Sequence, residues 1–326
     1  MRRREFITLL GGAAAAWPRA GRAQQQMPVI GFLQAGSPEP NAQRVAAFRK
    51  GLSETGFGDQ SVVIEFRWAA GQANRLPEMA ADLVRRPVDV IATPVSTAAA
   101  VAARAATATI PIVFAVGGDP VKLGLVASLA RPNGNATGIN FFADEINAKR
   151  LGLLHDLVPT AARIAVLINP TNTVSAERTS RDIPEAARTL GLQIQVFNAS
   201  TSREIDAAFT TLVRDGADAL FVIADTFFVS RRVQLVTLAT RNGIPASYSA
   251  REFVEVGGLM SYAADALEMF RQAGGYTGQI LKGVNPADLP VLQSTKFGFV
   301  INLQTARALG IEVPNSMQLL ADEVID

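Results

Sequence analysis

The chain has 326 residues, a formal net charge of +2 and no cysteine, which excludes disulfides, thiolate metal sites, a cysteine nucleophile and a lipid-modified cysteine. Within residues 1–23, Arg2, Arg3, Arg4, Arg19 and Arg22 stand against Glu5, so the remainder carries −2 and has no general field for nucleic acid or an anionic membrane surface. Hydrophobic residues at 48% and charged residues at 18% fit a globular α/β protein, and the length allows two domains, each with its own core.

Arg2-Arg3-Arg4-Glu5-Phe6 leads into an apolar stretch ending at Ala16, and Gly21-Arg22-Ala23 offers small residues around a cut. These are the charged, apolar and cleavage regions of an export signal. The apolar stretch is about half the roughly 20 residues that a spanning helix needs. The Arg-Arg-x-Phe pattern resembles a twin-arginine signal, a route that carries folded proteins. Residues 1–23 are expected to be removed, leaving a periplasmic chain that is not embedded in the membrane.

The body alternates short apolar runs with helical patterns, as in βαβ units with a parallel sheet. Strands are predicted at 29–33, 62–66, 88–92 and 112–116. Helices are predicted near 41–55, 76–85, 96–106 and 121–129. The same order then recurs, with strands at 163–168, 192–197, 219–223 and 244–248. The helices of this half fall at 176–190, with Pro184 an expected interruption, then at 204–214 and 229–240.

Corresponding points lie at a steady offset. Val29 to Ile164 spans 135 positions, Val63 to Ile194 131, Val90 to Leu220 130 and Ile110 to Ile244 134. Such an offset over four strands predicts two similar doubly wound lobes. Ligands of open α/β sheets bind beyond the carboxyl ends of the strands, so two facing lobes make one deep cleft that closes by a hinge.

The candidate ligand contacts follow the strand ends. They are Gln34, Gly36 and Ser37, then Thr93, Ser96 and Thr97, then Gly117 and Asp119 in the first lobe. In the second they are Asn169 and Asn172, Asp225 and Thr226, and Tyr248 with Ser249. Ser96 and Thr97 open a helix, whose free N–H groups and positive dipole end suit a carboxylate, although simple capping also explains them. Asp225 suits a ligand ammonium or, equally, a helix cap. Asp119-Pro120 reads first as a cap followed by a helix-starting proline. Trp68, Phe141, Phe142, Phe227, Phe228 and Tyr248 are candidates for covering a flat ligand, with at most one of the adjacent Phe141 and Phe142 facing the cleft. His155, the only histidine, is expected in a surface or packing role.

Several phrases carry a family resemblance. They are Leu76-Pro77 with Ala80-Ala81-Asp82-Leu83-Val84, the run from Ile110 to Val121, the run from Arg131 to Gly138, Lys149-Arg150-Leu151, and Phe299-Val300-Ile301-Asn302. Through them nearly the whole chain after the signal resembles the periplasmic solute-binding proteins of ABC importers, closest to the tryptophan- and phenylalanine-type subfamily. The resemblance implies a periplasmic binding protein type I fold: α/β, two doubly wound parallel-sheet lobes joined by three hinge strands. It also implies permease and ATPase partners on other chains. Where relatives tend to carry a Gly-rich turn after the third strand, this chain has Thr93-Pro94-Val95-Ser96-Thr97. The expected division is 27–140 plus 260–285 for the first lobe and 141–259 plus 286–326 for the second.

No His-Glu-x-x-His, phosphate loop, Gly-x-Gly-x-x-Gly or Gly-x-Ser-x-Gly motif occurs, and the lone histidine cannot complete a Ser-His-Asp triad. The reading is therefore a binding protein and not an enzyme, without metal or cofactor, acting as a monomer on a small carboxylate-bearing solute. That solute is an aromatic or branched amino acid, or an aromatic acid. The rivals are a sensor subunit that presents its solute to a receptor, a carboxylate-only enzyme, and a sugar-sensing regulator. The last would need a helix-turn-helix before the first strand.

Overall fold

The computed structural model describes residues 27–141 and 143–326; the expected export signal, residues 1–23, and Phe142 lie outside them. The first lobe opens with β1 (Val29–Gln34), α1 (Ala42–Glu54), β2 (Val63–Trp68) and α2 (Leu76–Val84). It continues with β3 (Val90–Thr93), α3 (Thr97–Ala106), β4 (Ile112–Val116) and β5 (Ala136–Asn140). The second lobe runs α4 (Ala143–Leu157), β6 (Arg163–Ile168), α5 (Thr173–Thr189), β7 (Gln193–Asn198) and α6 (Ser202–Arg214). Then come β8 (Ala219–Val222), α7 (Thr226–Ser230), α8 (Arg232–Arg241), β9 (Ala246–Tyr248), α9 (Arg251–Glu255) and β10 (Met260–Ala264).

The chain returns to the first lobe with α10 (Ala266–Leu281) and β11 (Leu292–Gln293). It ends in the second with β12 (Phe297–Asn302), α11 (Leu303–Ala308), α12 (Asn315–Leu320) and β13 (Glu323–Ile325). The sheet orders are β11-β5-β4-β3-β1-β2 and β13-β12-β10-β9-β8-β6-β7. Stripped of the late additions, both read 2-1-3-4-5, so the sequence repeat is a repeat of topology. The inner strands are apolar on both faces because helices cover both sides.

Sheet membership moves two expected boundaries. Met260–Ala264 pairs with β9 and β12 in the second sheet, not the first, so the chain crosses back only after Ala264. Leu292–Gln293 pairs with β5 in the first sheet, so the third crossing lies between Gln293 and Phe297. An apolar run carries no mark of which of two similar sheets will take it.

Three local expectations also change. The helix predicted at 121–129 is a single turn, in which Leu123 N donates to Asp119 O and the backbone is then turned aside at Gly124 (φ +69°). Pro184 does not break α5, which runs through it. The helix predicted at 229–240 is two, parted at Arg231.

Helix α10 is fixed to the first lobe by a close helix–helix approach. A Cβ on Gly274 would lie 2.0 Å from the Phe48 carbonyl oxygen, and one on Gly51 would lie 1.9 Å from that of Arg271, so only glycine fits at either place.

Candidate ligand-binding cleft

The first-lobe wall is built from loops after β1, β3 and β4. Gln34 is buried and bonded at both ends of its amide: its Nε2 donates to Pro94 O at 2.7 Å, and its Oε1 accepts from Ala35 N at 2.8 Å. It therefore braces the β1 loop against the β3 turn. In that turn Pro94 precedes Val95 at φ +53°, a left-handed position where glycine is the easy residue and a β-branched one is strained. The departure from a Gly-rich turn is thus a backbone held against its preference, by about 1–3 kcal/mol.

Ser96 occupies the N-cap of α3, yet its hydroxyl makes no capping bond. Ser96 Oγ and the neighbouring Thr93 Oγ1 are both buried without a partner. Simple capping therefore does not explain Ser96. Thr97 Oγ1 accepts from Gly117 N at 3.3 Å, tying the β4 loop to α3. Asp119 is exposed and accepts from Val121 N at 2.9 Å, which makes it the organiser of its own turn. Ser37 offers its carbonyl oxygen to Asn41 Nδ2 at 2.8 Å.

The second-lobe wall centres on Asp225. Its Oδ1 accepts from Asn169 Nδ2 at 3.0 Å and Phe227 N at 2.9 Å, and its Oδ2 accepts from Asn172 Nδ2 at 2.9 Å. Asp225 thus does cap α7. Burial pushes its pKa above the ordinary carboxylate value, against the pull of the Asn172, Asn169, Phe227 and Phe228 hydrogen bonds. Asn169 is engaged at both ends of its amide, its Oδ1 accepting from Thr171 N and Oγ1. Asn172 is not. A carboxylate only accepts, so the Asn172 amide must turn its NH₂ to Asp225. Its Oδ1 is left buried and without a partner.

Tyr248 lies in the second-lobe core, stacked on Phe253 at 4.6 Å between ring centroids. Burial raises the pKa of its phenol. Trp68 closes β2, stacked on Phe66 at 5.9 Å, and Phe227 and Phe228 are buried.

The walls come together. Helices α3 and α5 approach within 8 Å, Cα to Cα. A Cβ on Gly36 would lie 3.7 Å from Thr226 Cβ, and one on Gly71 would lie 3.2 Å from the Phe227 ring. Two open depressions of about 270 and 300 Å³ sit elsewhere on the second lobe, one beside Leu303 and Val313 and one beside Tyr262 and Phe297. Neither shares a residue with these walls.

Several participants were not singled out by sequence: Asn41, Arg44 and Glu252, which link the lobes, and Gly71 with its contact on Phe227. Arg150 is a further one, wholly buried and without a carboxylate partner among the described residues. It donates to Val222 O at 2.7 Å and lies 4.0 Å over the Phe221 ring, anchoring α4 under the second sheet. Only Arg150 carried a signal, a charge on the same helix face as Ile146, Leu153 and Leu154.

Two doubly wound lobes whose strand-end loops meet have the architecture of two-lobed solute-binding proteins. A family model described as ABC transporter substrate binding protein matches residues 32–325, and the chain belongs to that family. This makes it a binding protein that works with transporter components, and not an enzyme.

It is 30% identical to a tyrosine-binding protein of Clostridioides difficile over 266 residues, 81% of this chain and 76% of that one. Among solved structures it is similar to an ABC domain in complex with L-Trp from Streptococcus pneumonia. The identity is 29%, the TM-score 0.81, and the coverage 91% of this chain and 99% of that one. A ligand-free, open substrate binding protein from Clostridium difficile is 27% identical with the same coverage, at a TM-score of 0.62. No helix among the described residues is long and apolar enough to cross a membrane.

Proposed function

We propose that this chain is the periplasmic receptor of an ABC importer and that its cleft takes an aromatic L-amino acid. The observation that carries the reading is the pairing of unlike orphans. One wall has hydroxyl groups without partners, Thr93 Oγ1 and Ser96 Oγ, at the N-terminus of α3. The other has an acceptor without a partner, Asn172 Oδ1, beside the Asp225 carboxylate. Hydroxyls and helix N–H groups suit a carboxylate, and an amide oxygen with a carboxylate suits an ammonium. A free amino acid carries both. The names of the relatives supply the aromatic side chain, which Trp68 and Phe227 would accompany.

Thermal shift of the mature chain, from Gln24 onward, tests the reading. The panel holds L-tryptophan, L-tyrosine, L-phenylalanine, L-leucine, tryptamine, indole-3-propionate, sugars and dicarboxylates. A ligand at about 100 times its Kd stabilises by roughly 2.7 kcal/mol. At about 2–4 °C per kcal/mol, that is a shift of several degrees. Aromatic amino acids should shift the melting temperature, while tryptamine and indole-3-propionate, each lacking one charged group, should not. A response to sugars alone would overturn the proposal.

Export is tested separately. A reporter fused behind residues 1–23 should reach the periplasm and fail to do so with Arg3→Lys and Arg4→Lys together.

A further inference from the structure

Among the described residues one ion pair joins the two lobes. Arg44 of α1 donates through Nη2 to Glu252 Oε1 of α9 at 2.5 Å. The side chains are 7% and 31% exposed, so the pair is largely, though not wholly, withdrawn from water. The other ion pairs between described residues stay within a lobe; Arg271–Glu54 joins α10 to α1, and Arg251–Glu323 joins α9 to β13.

The pair is connected to the cleft. Arg44 Nη1 donates to Asn41 Oδ1 at 3.3 Å, and Asn41 Nδ2 donates to Ser37 O at 2.8 Å. Asn41 is buried, and its amide is the closest neighbour of Gly36, which faces Thr226 of the other lobe. An unbroken chain of polar contacts therefore runs from the loop after β1, across Asn41 and Arg44, to Glu252. Arg44 Nε is itself buried without a partner among the described residues, but the Arg44–Glu252 contact uses neither the Thr93 and Ser96 hydroxyls nor the Asn172 amide oxygen.

We propose that Arg44, Asn41 and Glu252 form a closure latch, which sets how long the cleft stays shut without touching the solute. The pair exists only while the lobes are together, since its members sit on different lobes. It therefore favours the closed state alone, and a contact made in one of two states shifts the balance by its full differential value. Removing one member of a desolvated pair acts mainly on dissociation. Because Glu252 keeps some exposure, screening by salt weakens the latch. Asn41 holds Arg44 in position and makes the latch sensitive to the loop that carries Gly36 and Ser37.

The latch rests on the reading that solute binds between the lobes, and two measurements separate the ideas. The first is stopped-flow release of L-tryptophan from the mature chain. Arg44→Gln and Glu252→Gln should each speed release roughly tenfold or more with little change in association. The double variant should be no faster than the worse single one, and the exchange Arg44→Glu with Glu252→Arg should recover part of the loss. Unchanged release, or effects that simply add, would overturn the latch.

The second measurement needs no ligand. The chain has no cysteine, so spin labels on Lys122→Cys and Thr240→Cys report one interlobe distance. Glu252→Gln should move that distribution toward longer values; an identical distribution would overturn the latch. Failure of L-tryptophan to bind at all would count against the aromatic solute, and the spin-label experiment would then decide the latch alone.

Discussion

The two walls of the cleft are topological copies, yet they are finished in opposite ways. The first-lobe wall has hydroxyls without partners on a strained turn, Thr93 and Ser96 around Val95 at φ +53°. The second has a carboxylate held by the Asn169 and Asn172 amides and by backbone N–H at the start of α7, with one amide oxygen left over at Asn172. One repeated unit thus supplies a donor face and an acceptor face, and the difference comes from side chains at loop positions, not from the backbone plan. Under the proposed function, the two faces would hold the two ends of a zwitterion.

The largest effect is expected on the acceptor face. Asp225→Ala should reduce amino-acid affinity by about 2–5 kcal/mol, because it strands the ligand ammonium in a desolvated site. Asp225→Asn should lose most binding too while leaving the unliganded fold about as stable. Calorimetric titration beside thermal unfolding separates the two effects. If binding survives Asp225→Asn, the ammonium assignment fails.

The donor face should respond with opposite signs in two assays. Thr93→Val removes a buried hydroxyl that has no partner, so it should stabilise the unliganded protein by about 1 kcal/mol. The same change should weaken ligand binding by a similar amount. Loss of stability without loss of affinity would show that Thr93 serves the fold only. Ser96→Ala should behave alike.

Acidity distinguishes the faces further. A carboxyl whose pKa is raised by folding holds its proton more tightly in the folded chain. Asp225 therefore adds stability to the unliganded protein as the pH falls through the raised value toward the ordinary 3.8, and that addition is absent at higher pH. Affinity for an ammonium ligand moves the other way, falling over the same interval as the carboxylate is protonated. Titrations from neutral pH downward should show this fall, and Asp225→Asn should abolish it.

The smallest expected effect is at the strained turn. Val95→Gly relieves a left-handed β-branched residue but frees the unfolded chain, so the net change should be a gain of no more than about 1 kcal/mol. Thermal unfolding measures it. A clear destabilisation would mean that packing of the Val95 side chain outweighs its backbone strain.

Residue patterns were enough for much of this. Apolar runs such as Ile112–Val116 and Arg163–Ile168 marked strands with their limits, because a strand buried on both faces needs a continuous apolar run. The offset of 130–135 residues gave the two-lobed plan, and strand ends gave the candidates, Thr93, Ser96, Asn172 and Asp225 among them. The roles within that list were not legible. Nothing local distinguishes Asn169, engaged at both ends of its amide, from the half-used Asn172, or the braced Gln34 from the orphan Ser96, because each depends on partners from distant segments.

What the sequence by itself determined is the repeated βαβ plan and where its strands end, since periodicity and punctuation are local properties of the chain. Tertiary structure alone decided which sheet received Met260–Ala264, which polar groups were left without partners, and that Arg44 would meet Glu252 across 208 positions. Those outcomes depend on long-range packing and on the exclusion of water, and neither leaves a local mark on the residues that take part.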